Sequence, residues 1–290
     1  MVLKCGFFLF MHDLYSENNI RKSKLIMDRF FGELIESTES VDLKTEQGEV
    51  RNKSFFWNES KIETMPEIEE RLNELGIENV DLRGTKEIWQ KKIAASVESM
   101  FESHPELQGC LGCIRTAKLD DGVYACTGPR MTENGISSEI QLNEKMFSKS
   151  DLELKIVDMQ IENFRGETWF AGKGLDGVLK HEMAHIMHLK MIADKEEISF
   201  GDTDKEKYEL LSQGYYRNSV VAKLCNDSLK ELDISPKDVA RELSVYGASD
   251  FGEFFAEAIS ESETSKKPRP LAMRVNEKYN EYLNNKEVKL

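Results

Sequence analysis

Residues 175–189, LDGVLKHEMAHIMHL, constrain everything else in the chain. His181 and His185 stand four residues apart, and Glu182 directly follows the first. On an α-helix, positions i and i+4 share a face one turn apart, so two imidazoles at this spacing can reach a single ion. Leu179, Met183, Ile186 and Met187 recur at i, i+4, i+7 and i+8, which predicts a helix with an apolar stripe on one face and the histidine pair on another. Gly172, Gly174 and Gly177 cluster where the chain enters this helix, and no proline interrupts it. The fold must therefore bury one side of the helix and bring further donor groups to the other.

His181-Glu182-x-x-His185 is the H-E-x-x-H arrangement of zinc peptidases, in which the histidines hold the metal and the glutamate acts as base toward a bound water. A hydrolytic zinc site needs three protein ligands and one open position. Met191 occupies the place, six residues beyond His185, where a metzincin would carry its third histidine. His188 lies two turns from His181, too far along the axis for easy shared ligation, and reads as a flanking polar residue. The remaining donor is a downstream carboxylate, and residues 244–261, SVYGASDFGEFFAEAISE, offer one. Phe251, Phe254, Phe255, Ala258 and Ile259 form an apolar helical stripe, and Glu253 and Glu257 share a separate face one turn apart. One carboxylate can bind the metal while the next accepts the N–H of a ligating imidazole. The competing reading is a capping box, with Asp250 at N-cap, Glu253 at N3 and a solvated Glu257. Tyr246 likewise has two readings, a phenol facing the metal or a buried ring with a satisfied hydroxyl.

HEMAH together with YGASDFGEFFAE resembles the gluzincin peptidases of the anthrax lethal factor type, whose second motif carries a tyrosine seven residues before the ligand glutamate. Tyr246 and Glu253 stand at that spacing. The chain is also similar to the metallopeptidase-like domains of minor head and head-morphogenesis proteins of tailed phages. The resemblance implies that His181, His185 and Glu253 bind Zn2+, that Glu182 activates water, and that Tyr246 faces the ion across the cleft. It implies an α+β fold for residues 61–290, a mostly helical zincin-like domain with a small antiparallel sheet beside the HExxH helix. Residues 1–60 would precede it as an extension. The function implied is a zinc endopeptidase acting on peptide or protein substrates. The alternative is a virion structural or head-morphogenesis protein that keeps the zinc-binding fold without useful peptidase activity, with capsid or portal proteins as partners. The chain departs from the toxin in a longer stretch between the two motifs, which implies an inserted helix near the substrate cleft.

The rest of the chain is compatible with this. Its 290 residues can bury a substantial core, and 53 acidic against 39 basic residues give a net charge of −14, which repels phosphate backbones and argues against general nucleic-acid binding. No apolar run is long enough to cross a bilayer. Lys4 and the following CGFFLFM mimic a short signal segment, but no small-residue cleavage site follows, so a buried strand or helix start is expected. Cys5, Cys110, Cys113, Cys126 and Cys225 are odd in number and scattered, as a reducing, cytoplasmic setting permits. Cys110 and Cys113 have no second C-x-x-C to complete a structural zinc site and are expected to be two small buried residues.

Helices are predicted over residues 20–35, over 65–76 with Ile68, Leu72 and Leu75 inward, over 84–104 with Trp89, Ile93, Val97 and Phe101 inward, and over 151–164. His104 is expected on the surface at the C-terminal end of the helix over 84–104. Residues 111–119 and 122–127 are expected to pair as a hairpin about Asp120-Asp121-Gly122, with SSEIQLN as a further strand. After the metal helix, residues 193–209 are expected to form a charged loop or an exposed helix start, and Val220, Leu224, Leu229 and Leu232 to mark another helix. Ser235-Pro236 should open one more, with serine as N-cap and proline at N1.

Overall fold

The computed structural model describes residues 65–120, 122–150 and 168–287, so the expected helices at 20–35 and 151–164 and the extension at 1–60 lie outside the described residues. The fold is α+β, a four-stranded sheet with helices packed around one long central helix.

Helix α1, Met65–Glu74, turns Ile68 and Leu72 fully inward, and strand β1, Asn79–Asp81, follows. Helix α2, Glu87–Ser103, buries Trp89, Ile93, Val97 and Phe101, the face predicted for it. Strand β2 is Leu111–Ala117, β3 is Ala125–Thr132 and β4 is Gly135–Asn143, followed by one turn of helix, α3, Glu144–Phe147. The central helix α4, Gly174–Lys195, buries sixteen of its 22 residues, because α2, β3 and the C-terminal helices surround it. It runs past His188 through residues 193–195, expected to belong to the charged loop. Helix α5, Lys205–Arg217, opens on an Asp204 cap and is followed by α6, Ser219–Glu231. Ser235 caps the 3-10 turn Pro236–Asp238, which leads into α7, Val239–Glu242. Helices α8, Phe251–Thr264, and α9, Pro270–Glu287, complete the described fold. No helix among the described residues is long and apolar enough to cross a membrane.

The sheet corrects two expectations. Its order is β1-β2-β4-β3, with β1/β2 and β2/β4 parallel and β3/β4 antiparallel, so it is mixed rather than antiparallel. Nor do β2 and β3 pair as a hairpin. The hairpin is β3–β4, closed where Thr132 pairs with Gly135, and the turn signal is Asn134-Gly135. Gly135 has φ +103°, and a Cβ there would meet the Gly201 carbonyl oxygen at 2.3 Å. The link from β2 to β3 instead crosses the end of β4, where the buried Asn143 side chain donates to the Val123 and Asp120 carbonyls at 2.7 and 3.2 Å. Pro129 falls in β3, the edge strand, where a missing N–H costs no ladder bond. Cys110 and Cys113 are both buried, as expected for small core residues.

His104 is not a surface residue. It is 5% exposed and lies between two carboxylates, with Nδ1 3.3 Å from Glu106 and Nε2 3.5 Å from Glu263, while the Tyr279 hydroxyl donates to Glu106 at 2.7 Å. Burial works against the imidazolium, but the contacts and charges of Glu106 and Glu263 outweigh it and raise the pKa from 6.5 to about 9. A raised folded-state pKa stabilises the fold fully below the unfolded value and loses that contribution as pH rises through the folded one. Wild type should therefore lose on the order of 2 kcal/mol between about pH 6.5 and 9 that a His104→Gln variant does not lose. Urea midpoints at pH 6 and pH 9.5 check this, and parallel pH dependence in the two proteins would refute it.

Candidate metal centre

The site is assembled from α4, α8, the edge strand β3 and the segment entering α4. Ser260 Oγ donates to the Gly177 carbonyl at 2.7 Å, which ties the first turn of α4 to α8. Gly172 and Gly177 allow this approach: a Cβ on Gly172 would lie 2.0 Å from Ser260 Oγ, and one on Gly177 would lie 2.5 Å from the Gly172 carbonyl carbon. The Ala171 N–H donates to Glu257 Oε2, so the entering segment and α8 fix each other.

On α4 the two imidazoles project from successive turns, with Nε2 atoms 3.1 Å apart. Glu253 on α8 brings Oε2 to 3.0 Å from His181 Nε2 and 3.5 Å from His185 Nε2. Three donors around a tetrahedral ion at about 2.0–2.1 Å are each about 3.3 Å apart, and the sides of this triangle bracket that value. Glu253 Oε2 is enclosed, yet neither imidazole contact satisfies it as a hydrogen bond. Among the described residues these three form the one cluster of His, Cys, Asp or Glu with metal-holding geometry. Comparisons with protein-family models, curated proteins and solved structures return no match for this chain.

Glu257 Oε1 lies 2.7 Å from His181 Nδ1, and the residue is 1% exposed, so the reading of Glu257 as solvated is overturned. By accepting a hydrogen bond from Nδ1–H, Glu257 leaves the lone pair of His181 Nε2 free to bind a metal on the Glu253 side. Asp250 does cap α8, accepting from the Gly252 and Glu253 N–H groups at 2.7 and 3.0 Å. The cap and the metal reading hold together, because Glu253 gives its backbone N–H to Asp250 and turns its carboxylate to the histidines.

The electrostatics favour a positive charge at this point. Burial opposes protonation of His181, but contact with Glu253, the hydrogen bond to Glu257 and both negative charges raise its pKa well above the ordinary value. Burial likewise opposes ionising Glu253, and the positive charge of His185 with the contacts to His181 and His185 holds its carboxyl far below the usual range.

Glu182 stands beside the triangle rather than in it. It is 5% exposed, and its Oε2 accepts the Thr127 hydroxyl at 2.7 Å. Burial raises its pKa, against the charges of His181 and His185 and the Thr127 hydrogen bond. The Tyr246 ring stacks on His181 with centroids 5.6 Å apart and meets Phe170 edge-on. Burial and the charges of Glu253 and Glu182 hold its phenol well above the ordinary range. Tyr246 is thus both a packed ring and a neutral hydroxyl at the site.

His188 lies outside the triangle, flanking it as expected, and is fully buried. Neither ring nitrogen has a hydrogen-bond partner, and burial, with the nearby charge of His185, lowers its pKa to about 3. Its ring tilts against Tyr215 at 5.2 Å, and Tyr215 also meets His185 edge-on at 6.0 Å. Sequence reasoning missed Tyr215 and Thr127. Each reaches the site from a separate element, and no spacing relative to the histidines could reveal them.

Proposed function

We propose that the chain is a zinc-dependent endopeptidase of the gluzincin kind, with His181, His185 and Glu253 as ligands. The observation that carries this reading is the donor triangle of 3.0, 3.1 and 3.5 Å with a separate buried carboxylate, Glu182, at its side. Zinc bound there supplies a Lewis acid that polarises a peptide carbonyl and acidifies water. Glu182 takes a proton from the attacking water and returns it to the leaving amine, a task helped by a carboxyl pKa lifted toward neutrality. Thr127 holds the Glu182 carboxylate in place, Glu257 sets the tautomer of His181, and the Tyr246 hydroxyl donates to the developing oxyanion.

Metal analysis of the purified chain, followed by a cleavage screen against a proteome-derived peptide library with and without chelator, tests the reading. One zinc per chain and chelator-sensitive cleavage are expected. Zinc without cleavage of any peptide would leave the centre as a structural element, as in the head-morphogenesis alternative. Absence of zinc would remove both readings.

A further inference from the structure

We propose that helix α5 is a strap lying on the substrate edge of the sheet, and that an extended polypeptide gains that edge only when α5 lifts. The inference rests on the peptidase reading and concerns how the same site is reached. Strand β3 pairs with β4 along one side only. On its other side, the carbonyls of Thr127 and Pro129 point outward from alternate positions, and both are taken by phenols of α5. Tyr215 donates to the Thr127 carbonyl at 3.1 Å and Tyr208 to the Pro129 carbonyl at 3.4 Å.

Those carbonyls are where an added strand would place its N–H groups. A phenol O–H is a donor of the same sense, so α5 and an incoming polypeptide compete for the same two acceptors. Pro129 sharpens the competition, because it offers an acceptor and no donor on this edge. The contested stretch lies at the chemistry: the Thr127 hydroxyl holds Glu182, and the Tyr215 ring covers the His185 side of the donor triangle.

The strap is lightly fastened. Leu211 is the one fully buried residue of α5, with Tyr208 and Tyr215 half-buried against the same cluster, whereas sixteen residues of α4 are buried. Leu210 and Tyr216 on its outer side are 44% and 59% exposed. An element that places few residues in the core is one that can open locally.

The test is the double substitution Tyr208→Phe/Tyr215→Phe in the full chain, which removes both donors and keeps both rings. Amide hydrogen exchange of residues 205–217 should be faster than that of α4 in wild type, and faster again by about tenfold in the double variant. For an extended peptide substrate KM should fall severalfold, in Tyr208→Phe alone as well as in the double variant. Exchange in α5 as slow as in α4 and insensitive to the substitutions overturns the strap, whatever the activity. So does faster exchange with an unaltered KM for the long peptide. Cleavage absent from both proteins counts against the peptidase reading, and faster α5 exchange in the double variant would then still support the strap.

Discussion

Glu182→Gln retains one zinc per chain and loses peptide turnover by at least about a hundredfold, within the 10²–10⁴ range of a positioned general base. Metal content should hold because Glu182 supplies no corner of the triangle formed by His181, His185 and Glu253. The amide can still accept the Thr127 hydroxyl bond that the carboxylate accepts at 2.7 Å, so the local packing survives. What it cannot do is take a proton from water. In the wild type, the acid limb of the rate profile should fall as pH drops through the Glu182 pKa, which burial lifts above the ordinary carboxylate value. Initial rates at several pH values together with metal analysis decide the matter, and full turnover in the glutamine variant would remove Glu182 from the mechanism.

Withdrawing zinc should cost as much on the stability side. A ligand bound only by the folded state and present at about a thousand times its Kd stabilises by roughly 4 kcal/mol, which in a chain of this size moves the thermal midpoint by about 10 °C. Chelation should produce that drop, and Glu253→Gln should reproduce it by removing one donor of the triangle. Glu257→Gln should be intermediate, weakening zinc binding about 10- to 100-fold. The Glu257 carboxylate accepts from both His181 Nδ1 and the Ala171 N–H, and an amide has only one oxygen with which to do so. Either the tautomer of His181 or the segment entering α4 loses its partner. Calorimetry with and without zinc gives the ordering directly. A midpoint indifferent to chelator in the wild type would show that no metal contributes to the fold.

The site was legible in the chain wherever its chemistry is carried by helical spacing. The pairs His181/His185 and Glu253/Glu257 each lie at i, i+4, and each remains on one helix face in the structure. Sheet order was less legible, and the misreading has a definite cause. Asp120-Asp121-Gly122 and Asn134-Gly135 are both plausible hairpin turns. Only the second joins neighbours, because the buried Asn143 side chain holds the 118–124 link across the end of β4. Pro129 is the local mark of the actual order, since a proline inside a strand points to a sheet edge. His104 misled for a similar reason: its neighbours in sequence mark a helix end, whereas Glu263 and Tyr279 come from α8 and α9.

The sequence by itself determined the two helical motifs, the apolar faces that bury them, the Asp250 cap and the chemical class of the donors, because each is set by side chains within one or two helical turns. Tertiary structure alone decided that Glu253 meets the histidines, that Glu257 is buried against His181, that Thr127 holds Glu182 and that Tyr208 and Tyr215 lie along the edge strand. Those contacts join residues 55 to 88 positions apart. Their geometry depends on sheet order and helix packing, which no local periodicity encodes.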